Sequence, residues 1–402
     1  MAKFNDLSID LIYVIFSHLQ SDRLQLHWLA LSSRLFRDVA QRFIVRNASI
    51  SHSIRGSRTQ LFLRTLTERP DLVAHVHRLE LNLLREDIHW PEEQQTICQL
   101  TRLLTNLREF CYLSGDYKIW HYSIPQPLKW GREHAHDQIR RVEWHHNMSP
   151  WELRKLLELP RIESVYVREL AESTSLNVPE SSYKTSTLVE LRIGAPDKKA
   201  SESLGILLKI PAILKKITFE SRVRYNPIIE PTGLVQLLDP VRDTLEELRV
   251  DIRNNMLGEH PQPADLSGFV SLKKLALPFR FIFGRLESLL DYTNVHLPHS
   301  LNELELAFVA EEALRNAWFP ESEVEMPALQ EFGRWLMASD GQHNISIRLP
   351  LLTWVTFKEN NEMSPYSDVW ASSLRHTVRR WMSRNFALFI RTPQLQFTFQ
   401  NR

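Results

Sequence analysis

LEELRV (245–250), LKKLAL (272–277) and LNELEL (301–306) share one pattern, apolar at the first, fourth and sixth residues. Residues four and six alternate with polar neighbours, as in a strand with one buried face. Looser copies occur at VHRLEL (76–81), LREFCY (107–112), IRRVEW (139–144), IESVYV (162–167), LVELRI (188–193), LKKITF (214–219) and LTWVTF (352–357). From fourth residue to fourth residue the steps are 31, 32, 23, 26, 26, 31, 27, 29 and 51. One copy means little in a chain with 60 leucines among 402 residues. Ten copies separated by helix-sized gaps are hard to obtain by chance. The gaps themselves carry helical patterns. Ser149-Pro150-Trp151-Glu152 reads as a capping box with proline at the first helical position, followed by Leu153, Leu156 and Leu157. Residues 92–104, 202–209, 233–238 and 326–339 fill the equivalent slot elsewhere.

The pattern and its spacing resemble leucine-rich repeats, whose period is about 20–29 residues. The resemblance implies an α/β fold: a right-handed, irregular solenoid with a parallel sheet on its concave face. Each unit would bury its leucines only against its neighbours. The asparagine that follows the third leucine in that family is mostly missing here, which predicts an uneven coil. The final step of 51 is long enough to hide a further repeat. Residues 364–389 read as an amphipathic helix covering the end of the solenoid.

Composition excludes several other classes. Lys+Arg number 49 and Asp+Glu 48, so nucleic-acid binding by gross charge is not expected. With only 11 glycines, a glycine-rich phosphate loop is not expected either. Two cysteines, Cys98 and Cys111, make no disulfide framework and read as small buried residues. No apolar run of 18 residues and no signal-peptide pattern are found, so the expected compartment is cytoplasmic and/or nuclear.

Before the repeats the pattern changes. Leu7, Leu11, Ile12, Ile15, Phe16 and Leu19 fall at helical spacing, with Ser8 placed to start the helix. Leu24, Leu26, Leu29, Leu31, Leu35, Phe36 and Val39 continue on short helices. So many apolar side chains on so small a module predict a binding face. The stretch LSIDLIYVIFSHLQSDRLQLHWLALSSRLFRDVA (7–40) resembles an F-box, with matches at Leu7, Asp10, Leu11, Ile12, Ile15, Phe16, Ser17 and Leu19. Asp22, Leu24, Leu31, Phe36, Arg37 and Asp38 also match, while Ser8 replaces a family proline and Ser32 a frequent cysteine. Residues 61–81 are similar to the connection between box and repeats in fungal F-box proteins.

This resemblance implies a domain plan: an F-box over 1–43, a junction over 44–60, and repeats over 61–402. It further implies a substrate receptor of an SCF-type cullin–RING ubiquitin ligase. The box would dock to the Skp adaptor, and through it to cullin and RING subunits, using Leu7, Leu11, Ile12, Ile15, Phe16 and Leu19. The repeats would hold a protein substrate, with no membrane partner and no cofactor. Such a receptor raises a substrate's local concentration and is not itself an enzyme. A non-ligase interaction scaffold of the same build is the alternative.

Strand alternation supplies a ligand face. The residue between buried positions four and six points the other way: Glu80, Cys111, Glu143, Tyr166, Arg192, Thr218, Arg249, Ala276, Glu305 and Thr356. Of these, Glu143, Tyr166, Arg192, Arg249 and Glu305 are the candidate substrate-binding residues, Arg and Tyr being typical anchors. Sequence motifs for phosphate loops, zinc proteases and serine hydrolases are absent. The His-rich stretch 130–147 holds His134, His136, Asp137, His145 and His146, with His121 upstream. Its spacing is untidy, and His145 and His146 would face opposite sides of a strand, so neither a metal nor a catalytic residue is expected. An enzyme built on these histidines is the third reading. Trp120, Trp130, Trp144 and Trp151 in the same region predict aromatic packing or partner recognition.

Overall fold

The structure, a computed structural model, describes residues 7–20, 22–51, 58–83, 90–114, 136–171, 176–194, 198–220, 230–251, 263–278, 281, 296–307, 344–349 and 396–399. Several expectations lie outside these residues: the strand at 352–357 with Thr356, the helices at 326–339 and 364–389, and His121, His134, Trp120 and Trp130. Two compact units divide the chain, Met1–Leu191 with Ile210–Ala212, and Arg192–Lys209 with Ile213–Arg402.

The first unit opens with three helices, α1 (Ile9–His18), α2 (Arg23–Ser32) and α3 (Arg34–Arg46). Each starts at a short polar side chain that accepts a hydrogen bond from a first-turn N–H: Ser8 from Leu11, Asp22 from Gln25, and Ser33 from Phe36. Ser8 has φ −63°, the value a proline ring would impose, so the serine keeps the turn and adds a cap. Ile12, Phe16, Leu26, Phe36, Val39 and Ala40 close a small core between the helices. The Phe16 and Phe36 rings lie 5.8 Å apart within it.

The helix α3 runs straight into β1 (Asn47–Ser51), which pairs in parallel with β2 (Arg78–Leu83). The repeat sheet therefore begins inside the stretch expected to be a junction. Its signal, Ala48 and Ile50 alternating with exposed residues, contains no leucine. Between these strands lie α4 (Arg58–Glu68) and a short 3-10 turn, Pro70–His75. Arg69 joins turn to α3, reaching Gln41 at 3.1 Å and Asp38 at 3.5 Å.

Next come α5 (Trp90–Leu103), β3 (Glu109–Ser114), β4 (Arg141–Met148), α6 (Pro150–Leu157) and β5 (Ser164–Leu170), each strand parallel to the one before it. The α6 capping box forms as expected, with both reciprocal bonds between Ser149 and Glu152. All three apolar positions of each repeat go inward: Val76, Leu79 and Leu81; Leu107, Phe110 and Tyr112; Ile139, Val142 and Trp144; Ile162, Val165 and Val167. Tyr112 and Trp144 stack at 4.4 Å on that buried side. A backbone device repeats in step. The carbonyl of residue two accepts from two successive N–H groups of the next repeat, as His77 does from Arg108 and Glu109, and Arg140 from Glu163 and Ser164. The division between the units falls within β6 (Glu190–Gly194).

The second unit contains α7 (Lys198–Leu207), β7 (Lys216–Glu220), α8 (Pro231–Leu238), β8 (Glu247–Asp251), β9 (Lys274–Pro278) and β10 (Glu303–Ala307). Strands β7 to β10 follow chain order and are parallel. Leu214, Ile217 and Phe219 are buried, as are Leu245, Leu248 and Val250, and Leu272, Leu275 and Leu277. The 51-residue step does hide a strand: β11 (Asn344–Leu349) pairs with β10, and β12 (Gln396–Phe399) pairs with β11. Nine of the ten sequence copies thus fall on strands of one sheet in chain order, with α5, α6, α7 and α8 in four of the connections, and the tenth lies outside the described residues. This is the leucine-rich-repeat-like α/β fold.

Hydroxyl groups link successive repeats where asparagine is missing. Thr244 Oγ1 donates to the Leu214 carbonyl at 2.9 Å, and Ser300 Oγ to that of Leu272 at 2.8 Å. In the first unit Thr187 Oγ1 donates to the Ile162 carbonyl at 2.8 Å. Each hydroxyl stands just before the first leucine position of its repeat.

Candidate functional site

Two surfaces present side chains in a way that could bind a partner. The first is on the N-terminal helices. With Ile12 and Phe16 closing the core, the adjacent stripe of α1 (Leu11, Val14 and Ile15) is left outside. Ile9, Leu24, Trp28, Leu31 and Leu35 are exposed with it, Trp28 at 65% and Leu31 at 72%. Of the six residues expected to meet an adaptor, Leu11 and Ile15 are therefore on the surface, and Leu7 and Leu19 pack partly buried on the core. The structure corrects the other two: Ile12 and Phe16 are fully buried, because a three-helix module needs their bulk to close. Trp28 was missed because α2 carries little apolar periodicity to single it out.

The second surface is the outward side of the sheet. Strand register sets the between-position residues side by side, Ser49, Glu80, Cys111, Glu143 and Tyr166 in the first unit. In the second unit the row is Thr218, Arg249, Ala276, Glu305 and Ser346. Charges alternate in the neighbouring rows. Arg78 faces Glu109 at 3.6 Å, Lys216 faces Glu247 at 3.1 Å, and Lys274 faces Glu303 at 2.9 Å. At the strand entrances Glu246 sits between Lys215 and Lys273, which hold its carboxyl well below the usual range, at about 2.

The five candidate ligand-binding residues fare differently. Arg249 crosses over the small Ala276 and meets Glu305, both guanidinium nitrogens lying 3.4 Å from its carboxylate. Arg192 pairs with Glu220 and is otherwise exposed. Tyr166 is only 7% exposed, so it offers little area to a ligand and acts mainly as packing. Its ring lies 4.6 Å from that of His145.

Glu143 belongs to a tight cluster. Arg141 Nε donates to its Oε1 at 2.9 Å, and its Oε2 lies 3.6 Å from both Cys111 Sγ and His145 Nε2. The neighbouring His145 ring, with help from Arg141 and Cys111, pulls the Glu143 carboxyl down to about 2. Burial, and then the Glu143 charge, push the Cys111 thiol up to about 12. Among the described residues of the stretch, His136 and His146 do not join them. His136 is buried near the start of β4, and burial lowers the pKa of His146. Sequence alternation puts Cys111 in the same outward row as Glu143 but does not bring His145 to them.

No protein-family model and no curated protein matches the chain. Among solved structures it is similar to one titled "Crystal structure of Rad7 and Elc1 complex in yeast". The identity is 12%, the match covers 91% of this chain and 97% of that one, and the TM-score is 0.22. A likeness this distant carries no argument, and the fold rests on the strand pairing and burial described above. Among the described residues no helix is long and apolar enough to cross a membrane.

Proposed function

We propose that the chain is a two-ended protein-interaction receptor: its N-terminal helices dock to an adaptor, and its strand face holds a second protein. In its specific form this is the substrate receptor of an SCF-type cullin–RING ubiquitin ligase, with the Skp adaptor as the docking partner. The observation that carries it is the division of apolar residues in α1 to α3. Six side chains are buried in the core and others pack partly buried against it, yet eight large apolar ones remain outside. A small soluble module that spends side chains in this way is built to be covered. The F-box-like string at 7–40 supplies the kind of cover. On this reading the chain carries out no bond chemistry and works by holding a substrate close to a charged enzyme. The mixed charges of the strand face suit a patterned protein surface.

The test uses the full chain co-expressed with the Skp adaptor. Leu11→Asp with Leu31→Asp is expected to abolish co-purification while leaving the thermal melt within a degree or two, since both side chains are already in water. Undiminished adaptor binding by that variant would overturn the docking face. Failure of the wild-type chain to bind any Skp adaptor, with a protein still captured by the strand face, would replace the ligase reading with the scaffold one.

A further inference from the structure

Cys111, Glu143 and His145 meet on the outward side of the sheet for reasons of topology. Cys111 on β3 and Glu143 on β4 are direct partners in the parallel register. His145 follows Glu143 by two residues, and the register of β4 against β5 shifts between Trp144 and Asn147, so it lies in an irregularity of the ladder. Such irregularities re-aim side chains. The Tyr166 ring braces the imidazole from β5, and Arg141 holds the far oxygen of the carboxylate. Arg78 and Glu80 on β2 are the remaining charged groups beside the thiol.

One sulfur, one imidazole nitrogen and one carboxylate oxygen then converge, all within 4.8 Å of one another. Two of the three donor separations fit a small tetrahedral ion. With a thiolate at about 2.3 Å and nitrogen or oxygen at about 2.0–2.1 Å, tetrahedral zinc sets sulfur and oxygen about 3.5 Å apart, and nitrogen and oxygen about 3.3 Å apart. The sulfur–oxygen and nitrogen–oxygen separations here are both 3.6 Å. Zinc accepts this mixture of donors, whereas calcium and magnesium take oxygen ligands.

We propose that Cys111, Glu143 and His145 form a zinc site on the strand face, with a fourth position left for water or for a group of a bound partner. Binding replaces the thiol S–H bond by a sulfur–zinc bond, and the proton passes to solvent. The carboxylate already lacks its proton, and the neutral imidazole moves its proton from Nε2 to Nδ1, which frees the Nε2 lone pair for the metal and leaves the thiol proton as the one released. Two of its ligands, Glu143 and His145, come from the stretch 130–147, and the third, Cys111, comes from the preceding strand. It stands whether or not the N-terminal helices meet an adaptor.

Cobalt(II) titration of the full-length chain, purified from chelator under reducing conditions, tests the proposal. One equivalent is expected to produce a thiolate-to-cobalt charge-transfer band in the near ultraviolet. Zinc should bleach the band stoichiometrically, and calorimetry in buffers of different ionisation enthalpy should count about one proton released. Cys111→Ser should lose the band, and His145→Ala and Glu143→Gln should weaken zinc binding at least about tenfold. Cys98→Ser should leave the band unchanged. Circular dichroism of each variant checks that the sheet persists. Should a variant unfold, zinc protection of Cys111 against alkylation in the wild-type chain gives the same answer. No band, a band that follows Cys98, or no protection of Cys111 would overturn the proposal.

Discussion

The opening helices and the repeats draw on the same residue types and put them to opposite uses. In the repeats, the first, fourth and sixth positions from Val76 to Leu304 go inward. In α1 to α3, Ile12 and Phe16 are buried while Leu11 and Ile15, one position away from each, are in water. The reason is geometric. A repeat has neighbours to bury against, so adding a leucine adds core. A three-helix module fully buries six side chains and half-covers a few more, which leaves other large apolar residues outside. Excess apolar surface there follows from the module's size, and on the proposed docking reading another molecule covers it.

The sharpest way to break this contrast is truncation on either side of it. Phe16→Ala and Leu248→Ala each remove a buried side chain and should cost about 2–5 kcal/mol in denaturant unfolding. Leu31→Ala, of the same chemistry but exposed, should stay within about 0.5 kcal/mol of wild type. Equal damage from Leu31 and Phe16 would mean that the module buries its outer stripe after all. It follows that Phe16 is a poor probe of docking, since its loss melts the surface along with the core.

A smaller effect separates the charged cluster of the strand face from its apolar back. The Glu143 carboxyl is held at about 2 against an ordinary 4.5, first by His145 and then by Arg141. Its folded form binds protons less readily than the unfolded chain, so its contribution is complete above pH 4.5 and is lost as the pH falls through about 2. With screening at this half-buried position, the contribution is on the order of 1–2 kcal/mol. Urea unfolding of Glu143→Gln should differ from wild type near pH 6 and converge on it towards pH 2. Cys111 gives the opposite sign. Its thiol is held up at about 12 against 9.0, so its share of stability is present below pH 9 and fades as the pH rises towards 12.

The hydroxyl links should matter less again. Thr244→Val keeps the shape and removes the bond to Leu214, with an expected loss of about 1 kcal/mol. The same change at an exposed threonine with no link to another repeat would do almost nothing.

Much of the fold was legible because leucine periodicity records burial directly. The strands β2 to β10 and the α6 capping box could be read from single side chains and their spacing. What could not be read lacked that marker. The β1 strand carries alanine and isoleucine in a stretch that looks like a linker, and β11 hides in an over-long step. The hydroxyl links depend on a carbonyl roughly one repeat back, which no local pattern announces. For the candidate surfaces, periodicity found α1 but could not divide it. Ile12 and Ile15 are equivalent on paper, and only the positions of α2 and α3 decide which of them is core. The Cys111 cluster depends on the register between two strands 32 residues apart in sequence, a quantity fixed by the fold and not by either segment.

The smallest expected effect concerns what the strand face must give up in order to bind. Arg249 is already satisfied by Glu305, two strands away, because Ala276 on the strand between them leaves the path open. Both side chains remain partly in water, so a double-mutant cycle with Arg249→Ala and Glu305→Ala should give a coupling of only about 0.2–1 kcal/mol, shrinking as salt is added. Ala276→Leu places a side chain across that path and should bring the coupling close to zero while leaving Leu275 and Leu277 buried. A protein ligand that presents a carboxylate to Arg249 competes with Glu305, and the weak internal pair makes this exchange cheap. Glu305→Gln should therefore tighten such a ligand, whereas the same substitution at Glu80, which pairs with Arg78, should leave its affinity unchanged. Were the measured coupling several times larger, Arg249 would be a structural strut of the sheet, and the ligand face would have to lie among the less committed residues of its row.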